Sequence, residues 1–517
     1  MESEKKPDEI GAQDELQNLK IKKGNRREFL KLMAYGTTLG AFAPLVSAQT
    51  QPDRRPNARN EKGVSMAKGK VNIVLIVADD QGRESLGCYG NTKIKTPNMD
   101  QLASDGVRFT NSFCTTASCA ASRSVILTGM HNHTNGTYGH THGKHHFSCF
   151  ADVTTLPSIL NDAGYRTACI GKKHYAPLSA FPFQADLESE SKCGRDDVGM
   201  AESCRGFIAG KEPFFLYMCS YNPHRDGRVL ESHPCKPNRF GNPDSSFPND
   251  VEMTYSDDEV EVPHFLPDTP ETRAELAQYY QSVSRLDRGI GRLVKILKEE
   301  NKYEDTLIIY ISDNGAAFPA SKTNLYDPGM NLPCIVKSPM RRGGGTDCDA
   351  LITWADITPT IVDFAGAACN PKSFFGKSFR AVIDEKSPKD WRDEIYASHS
   401  FHGITNYYPM RVIRSKKYKF IWNIASPLTY SCASDLWDSA TWQAALRNKS
   451  EIFGKRRMDA YLHRPRFELY DLEKDPCELS NLAGKSEFKE KVDSFCSKLK
   501  DFQKATNDPW LHKWEYE

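Results

Sequence analysis

Val71-Asn72-Ile73-Val74-Leu75-Ile76-Val77-Ala78 runs without a break into Asp79-Asp80, and this stretch decides the fold. The run has strand length and is apolar at odd and even positions alike. That pattern belongs to a strand buried on both faces, as in a parallel sheet covered by helices. In open α/β sheets ligands bind beyond the carboxyl ends of the strands, so the two aspartates mark a place for chemistry. Taken alone, an Asp-Asp pair after a strand is also what a helix cap or turn looks like.

Outward from this strand the same grammar repeats. Thr96-Pro97 opens a helix through Ala103 and Ser104, with Gly106 at its end. Residues 156–163 read as a helix stopped by Gly164, 166–170 and 214–219 as strands, and 272–299 as a long helix. Residues 306–311 read as a further strand and 354–364 as a helix ending near Gly366. Alternation of this kind predicts an α/β fold, a large mixed, mostly parallel sheet sandwiched by helices. Beyond residue 370, strand-like segments 411–414, 417–423 and 467–470 lie close together before a helix near 488–502. They predict a smaller C-terminal antiparallel sheet plus helix. The expected division is a catalytic domain over 71–370 and a C-terminal subdomain over 371–517.

The chain has 517 residues, room for one large domain and a smaller one. Its 68 basic and 67 acidic residues nearly cancel, and no basic run suggests a nucleic-acid groove, so any anion site must be a local pocket. Asn25-Arg26-Arg27-Glu28-Phe29-Leu30-Lys31, the apolar stretch 32–46 and the small-residue end Val46-Ser47-Ala48 read as a twin-arginine export signal over 1–48. That implies the Tat translocon as a partner and a periplasmic or secreted bacterial protein. Residues 49–70 read as a polar linker. All fifteen cysteines follow the signal; no spacing among them specifies a bridge. A homodimer is left open.

A second strand end matches the first. The strand 306–311 runs into Ser312-Asp313-Asn314-Gly315. Asp79, Asp80, Asp313 and Asn314 together make a hard, oxygen-only cage, which selects Ca²⁺ or Mg²⁺ over zinc. After a third strand come Gly171-Lys172-Lys173-His174, where Lys172 and His174 share a face of an extended segment and Lys173 points elsewhere. Tyr221-Asn222-Pro223-His224 follows a fourth. Several cation-capable groups around a metal suit an anionic substrate. The His-dense segment 131–146 reads as a glycine-rich loop without cysteines rather than a zinc site.

Cys119 opens Ser118-Cys119-Ala120-Ala121-Ser122-Arg123, ahead of a short apolar helix stopped by Gly129. A buried structural thiol is the plain reading of one cysteine, but this segment resembles the signature of the type I sulfatases. The resemblance implies an alkaline phosphatase-like fold and oxidation of Cys119 to formylglycine (3-oxoalanine), whose hydrated aldehyde is the nucleophile. It further implies one calcium ion on Asp79, Asp80, Asp313 and Asn314, with the modified Cys119 completing the shell. Arg123 and Lys172 would hold the hydrate, His174 would take its proton, and His224 with Lys322 would protonate the leaving atom. The segments Asn135-Gly136, Tyr138-Gly139, His145-His146-Phe147, Phe318-Pro319 and Arg466-Phe467-Glu468-Leu469-Tyr470-Asp471 are similar to the N-sulfoglucosamine sulfohydrolase (sulfamidase) branch. The implied substrate is a sulfated glycosaminoglycan oligosaccharide, with the N-sulfate of a terminal glucosamine in heparin or heparan sulfate as the target. An O-sulfatase, a phosphonate or phosphodiester hydrolase, and an inactive glycan-binding homologue with unmodified Cys119 stay open. Ala121 stands where most members carry Pro, so the maturation partner is a formylglycine-generating or an anaerobic sulfatase-maturating enzyme. Asn222 and Gly403 stand where the branch leads us to expect Asp and Glu near the sugar. Lys322 replaces an Arg, a point charge for a planar fork.

Overall fold

The computed structural model describes residues 70–188, 194–225, 239–243, 245–340 and 343–516. The export signal expected over 1–48 and nearly all of the linker over 49–70 lie outside the described residues, as do Cys193 and Cys235. Among the described residues no helix is long and apolar enough to cross a membrane, and none of their cysteines is in a disulfide.

The large sheet has eight strands: β1 (Asn72–Ala78), β2 (Val107–Phe113), β3 (Arg166–Gly171), β4 (Ala185–Leu187), β5 (Phe214–Cys219), β6 (Thr306–Ser312), β7 (Cys334–Lys337) and β8 (Thr346–Thr353). Their spatial order is β4-β3-β5-β1-β6-β7-β2-β8. β7 is antiparallel to both of its neighbours, and every other pair is parallel. β1 sits at the centre with all seven residues buried. Its Ile73, Leu75 and Val77 pack on one side with Val125, Ile126 and Ile361. Val74 and Ile76 pack on the other with Leu286, Ile290 and Leu293 of the 30-residue helix Pro270–Glu299. This explains a strand apolar at every position from Ile73 to Ala78: each of the larger side chains, at roughly 1.5–3 kcal/mol of burial, has a helix to meet. The long helix starts where Thr269 caps Thr272 N and Pro270 takes the first turn.

The second sheet is antiparallel, in the order β14-β11-β10-β9, from β9 (Glu394–Phe401), β10 (Tyr407–Ser415), β11 (Tyr418–Asn423) and β14 (Phe467–Asp471). A two-stranded hairpin, β12 (Ile452–Phe453) and β13 (Arg456–Arg457), lies between them in sequence. The helix Lys489–Ala505 covers the sheet with Val492, Phe495 and Leu499 against Ile413 and Phe420. On its other face, Ala397, Val412 and Ile421 join the same core as Ile73 and Leu75, so one apolar core runs across residue 370.

Parallel register sets the position of the chemistry. Val77 pairs with Cys219, Cys219 with Gly171, and Ala78 with Ser312. The residues that follow β1, β3, β5 and β6 therefore leave the sheet at one edge.

Candidate active site

At that edge the backbone ties the two acidic turns together. Asp313 N donates to Ala78 O at 3.1 Å and Asp80 N to Asp313 Oδ1 at 3.1 Å. Asp80 takes φ 62°, a left-handed conformation that a non-glycine residue keeps only where its surroundings enforce it. Asp79, Asp80, Asp313 and Asn314 are completely buried. Each carboxylate has one oxygen close on a cation: Asp79 Oδ2 on Lys172 Nζ at 2.5 Å, Asp80 Oδ2 on Lys322 Nζ at 2.7 Å, and Asp313 Oδ2 on Arg123 Nε at 2.8 Å; Arg123 Nη2 stands off Asp79 Oδ1 at 3.7 Å. Asp79 Oδ1, Asp80 Oδ1 and Asn314 Oδ1 have no hydrogen-bond partner.

Three buried oxygens without a donor fit a hard cation. The charges agree. With Asp435, which also meets Lys322 at 2.8 Å, four carboxylates face three fixed cations. Burial pushes the Asp80 carboxyl up to about 6 despite Lys322, and drives Asp79 well above the carboxylate range despite Lys172. The donor set thus lacks positive charge and has oxygens to receive it.

Cys119 is the first residue of the helix Cys119–Thr128, after Ser118 in extended conformation, and Gly129 at φ 66° ends that helix. Burial alone would raise the thiol, but Lys172, His174 and His140 hold it well below its ordinary value. Cys119 lines a pocket of about 1180 Å³ together with Lys172, His174, His224 and Lys322. Arg123 lies beneath, fully buried, with Nη1 on the Lys172 carbonyl at 2.7 Å. It fixes Asp313 and the Lys172 turn rather than lining the pocket.

Gly171 makes that turn. It adopts φ 83°, and a Cβ there would stand 2.0 Å from Cys219 O. Lys172 and His174 both line the pocket, but so does Lys173, which pairs with Asp186 of β4. With Gly171 at φ 83° and His174 at φ 50° the segment is not extended, so the two-residue period does not separate the three. His174 Nε2 meets His142 Nδ1 at 2.8 Å, and its buried Nδ1 has no partner. Burial lowers His174 to about 4 although the charge at Cys119 opposes it. His224 Nε2 lies 3.2 Å from Lys322 Nζ and 3.6 Å from Asp80 Oδ2. Burial, then Lys322, holds His224 well below the usual histidine value.

A sequence model of the sulfatase family matches residues 71–367, more than half of the chain. The chain belongs to the sulfatase family. A second model, for the C-terminal part of N-sulphoglucosamine sulphohydrolase, matches residues 320–441. Human N-sulphoglucosamine sulphohydrolase is 34% identical over 85% of this chain and 91% of its own length. An ulvan-active sulfatase of Formosa agariphila is 27% identical over 89% of this chain and 85% of its own. A protein solved with its substrate D-glucosamine-2-N,6-O-disulfate superposes with a TM-score of 0.61 at 21% identity, covering 85% of this chain and 99% of that one. The chain is accordingly a sulfuric ester or sulfamate hydrolase by family, on the alkaline phosphatase-like fold.

The sulfatase site also holds residues that sequence reasoning missed. His402, from the end of β9, puts Nδ1 3.0 Å from Ser118 Oγ and Nε2 2.8 Å from His140 Nε2. His140 Nδ1 is 3.9 Å from Cys119 Sγ. The His-dense loop has no cysteine in sequence, yet folding brings Cys119, His140 and His174 within ligand distance of one another. Asp435 comes from the C-terminal chain, where nothing local marks it. One expectation fails. Asn222 does not lie beside the pocket; it is buried beneath, with Nδ2 on Asp197 Oδ2 at 2.6 Å and Oδ1 accepting from Ser282 Oγ and Arg285 Nη2 at 2.9 and 3.1 Å. An amide suits that place, since a carboxylate would face Asp197. Gly403 does line the pocket, next to His145.

Proposed function

We propose that this sulfatase removes sulfate from glycosaminoglycan sugars, and specifically the N-sulfate of a terminal glucosamine in heparin or heparan sulfate. The observation that carries this reading is the likeness to human N-sulphoglucosamine sulphohydrolase across 91% of that protein, with the C-terminal match over 320–441. Oxidised to formylglycine, Cys119 supplies a hydrated aldehyde as nucleophile, and a calcium ion on Asp79, Asp80, Asp313 and Asn314 supplies Lewis-acid charge stabilisation.

The chain's own side chains do the rest. Lys172 and Lys322, fixed by carboxylates and lining the pocket, present positive charge to sulfuryl oxygens in a site that needs no reorganisation. His224 Nδ1 faces the Arg225 carbonyl at 2.5 Å, which assigns its proton to Nδ1 and leaves Nε2 to accept from Lys322 Nζ. The proton for the leaving nitrogen or oxygen is therefore stored on Lys322, with His224 beside it. His174 receives a proton at Nδ1 while His142 holds its other nitrogen. Arg123 keeps Asp313 and the Lys172 turn in place.

The broader picture keeps the twin-arginine signal over 1–48, a linker over 49–70, subdomains meeting at residue 370, and a maturation enzyme acting on Cys119 before export.

Product analysis on heparin disaccharides bearing one sulfate at a time tests the substrate. Release from the N-sulfated sugar alone is expected. Release only from an O-sulfated one gives the reading to an O-sulfatase, for which Gly403 in the pocket wall, without a carboxylate, already speaks.

A further inference from the structure

The chemistry above uses only some of the residues that line the pocket. The C-terminal chain lines it as well: Asp435, Trp437 and Asp438 in and after the helix Ser434–Trp437, and Trp442 and Leu446 from the helix Ala440–Arg447. At about 1180 Å³ the pocket exceeds the roughly 300–1,000 Å³ that holds a drug-sized ligand. One sulfated aminosugar is smaller than that. Space remains for a second ring.

Trp437 marks where that ring would sit. It lines the pocket yet is 52% exposed, the only exposed tryptophan of the seven. Leaving an indole in water forgoes burial energy that folding would otherwise take. Its backbone is pinned: the N–H donates to Ala433 O at 2.8 Å, and the carbonyl accepts from Gln443 Nε2 at 2.7 Å. Neighbouring Ala433 and Leu436 are fully buried. Asp435, on the same turn, reaches inward to Lys322. The acid in the depth and the ring at the mouth are therefore held as one unit.

Charge says how a second ring would be recognised. Among the described lining residues, Lys172, Lys173 and Lys322 are each paired with an aspartate. The C-terminal wall adds Thr405, Asn406, Ser431 and Ser434, which are neutral donors and acceptors, and the acid Asp438. Among the described residues no lysine of this wall is left for a second sulfate, and the guanidinium beside it, Arg239, spends Nη2 on the Asp438 carbonyl at 3.4 Å. The electron-rich face of a fixed indole instead suits the apolar C–H face of a pyranose.

We propose that Trp437 is the platform of a second sugar subsite, stacking on the ring linked to the sulfated aminosugar and reading it by shape and hydroxyls rather than by a further sulfate. The proposal rests on the reading of a sulfated sugar as substrate.

The test compares kcat/KM on N-sulfoglucosamine, a disaccharide with an unsulfated second ring, and one with that ring sulfated, for wild type, W437A and W437F. Wild type should prefer the unsulfated disaccharide to the monosaccharide by about tenfold, equivalent to about 1.4 kcal/mol. W437A should erase that preference, W437F should keep most of it, and a second sulfate should add nothing. Equal losses on both sugar lengths in W437A, or an undiminished preference, would overturn the proposal. If the N-sulfate is not released, the substrate reading fails by itself. The same length comparison then uses whichever sulfate is released, and calorimetric titration of the sugars into C119A, wild type and W437A otherwise at position 437, decides Trp437 without turnover.

Discussion

Lys322 Nζ and Asp435 Oδ2 meet at 2.8 Å although 113 residues separate them. Through this contact the C-terminal chain reaches the edge of the large sheet, because Lys322 also holds Asp80 and faces His224. Burial alone would lower the lysine, but Asp435 and Asp80 together keep it well above its ordinary value. It is thus a cation throughout the neutral range.

D435N should weaken that hold. We expect kcat/KM to fall about tenfold and the alkaline limb of the pH–rate profile to move to lower pH as Lys322 gives up its proton more readily. A profile identical to wild type would remove Asp435 from the machinery.

Cys119 should be modified in protein from its native host. Mass spectrometry of the peptide containing it should find the aldehyde in place of the thiol, and C119A should lose activity on the order of 10⁴-fold or more. An unmodified thiol in fully active protein contradicts the nucleophile assigned here.

The three unpartnered oxygens of Asp79, Asp80 and Asn314 predict that calcium binds the folded state and raises its melting temperature. At a hundredfold excess over Kd the gain is about 2.7 kcal/mol. Differential scanning calorimetry with calcium and then with chelator should show it, and N314A should reduce it. No response to any divalent ion would place the metal elsewhere.

Replacing Asn222 by the acid expected from the sulfamidase branch should harm the fold. In N222D two buried carboxyls would meet where Asn222 Nδ2 now bonds Asp197 at 2.6 Å, costing about 1–3 kcal/mol. Asp197, already raised by burial to about 6, would share a proton with the new acid. A raised carboxyl loses its contribution as pH rises, so the deficit in melting temperature should be larger at pH 8 than at pH 5.

Two buried histidines give a second pH signature. Burial lowers His131 to about 4 and His399 to about 3, so each stays neutral when folded and takes a proton on unfolding below its ordinary value of 6.5. Their stabilisation is present above that value and is lost as pH falls towards 4, by about 1.4 kcal/mol per pH unit for each. Buried acids such as Asp287, raised to about 6, act in the opposite sense. The measurement is therefore a difference: between pH 6 and 4.5, H399Q should lose stability less steeply than wild type.

Much of this was legible before folding. Residues 71–80 and 306–314 announce their strands and acids because a strand buried on both faces is apolar at odd and even positions alike through its middle, Ile73–Ala78 and Leu307–Ile311, and the polarity then changes abruptly at its end. Lys172 and His174 do reach one pocket, but Lys173 lines it too, because the chain leaves the extended conformation at Gly171 and His174 and the two-residue period stops with the strand. The antiparallel sheet after residue 370 was readable in the same way, whereas β2, β7, β8 and β9 were not singled out; β2, for instance, alternates polar residues that carry no comparable signal.

By itself, the sequence determined local periodicity: where the central buried strands run, where each of them stops, and which oxygen-bearing side chains stand just beyond the stops. Tertiary structure alone decided which distant groups share the site. His402 meets His140, Asp435 meets Lys322, and Trp437 turns to the pocket, while Asn222 turns away from it. A single histidine, acid or indole in a loop has no period of its own. Its neighbours are chosen by strand register and by the core that packs one sheet on the other, and those are properties of the whole chain.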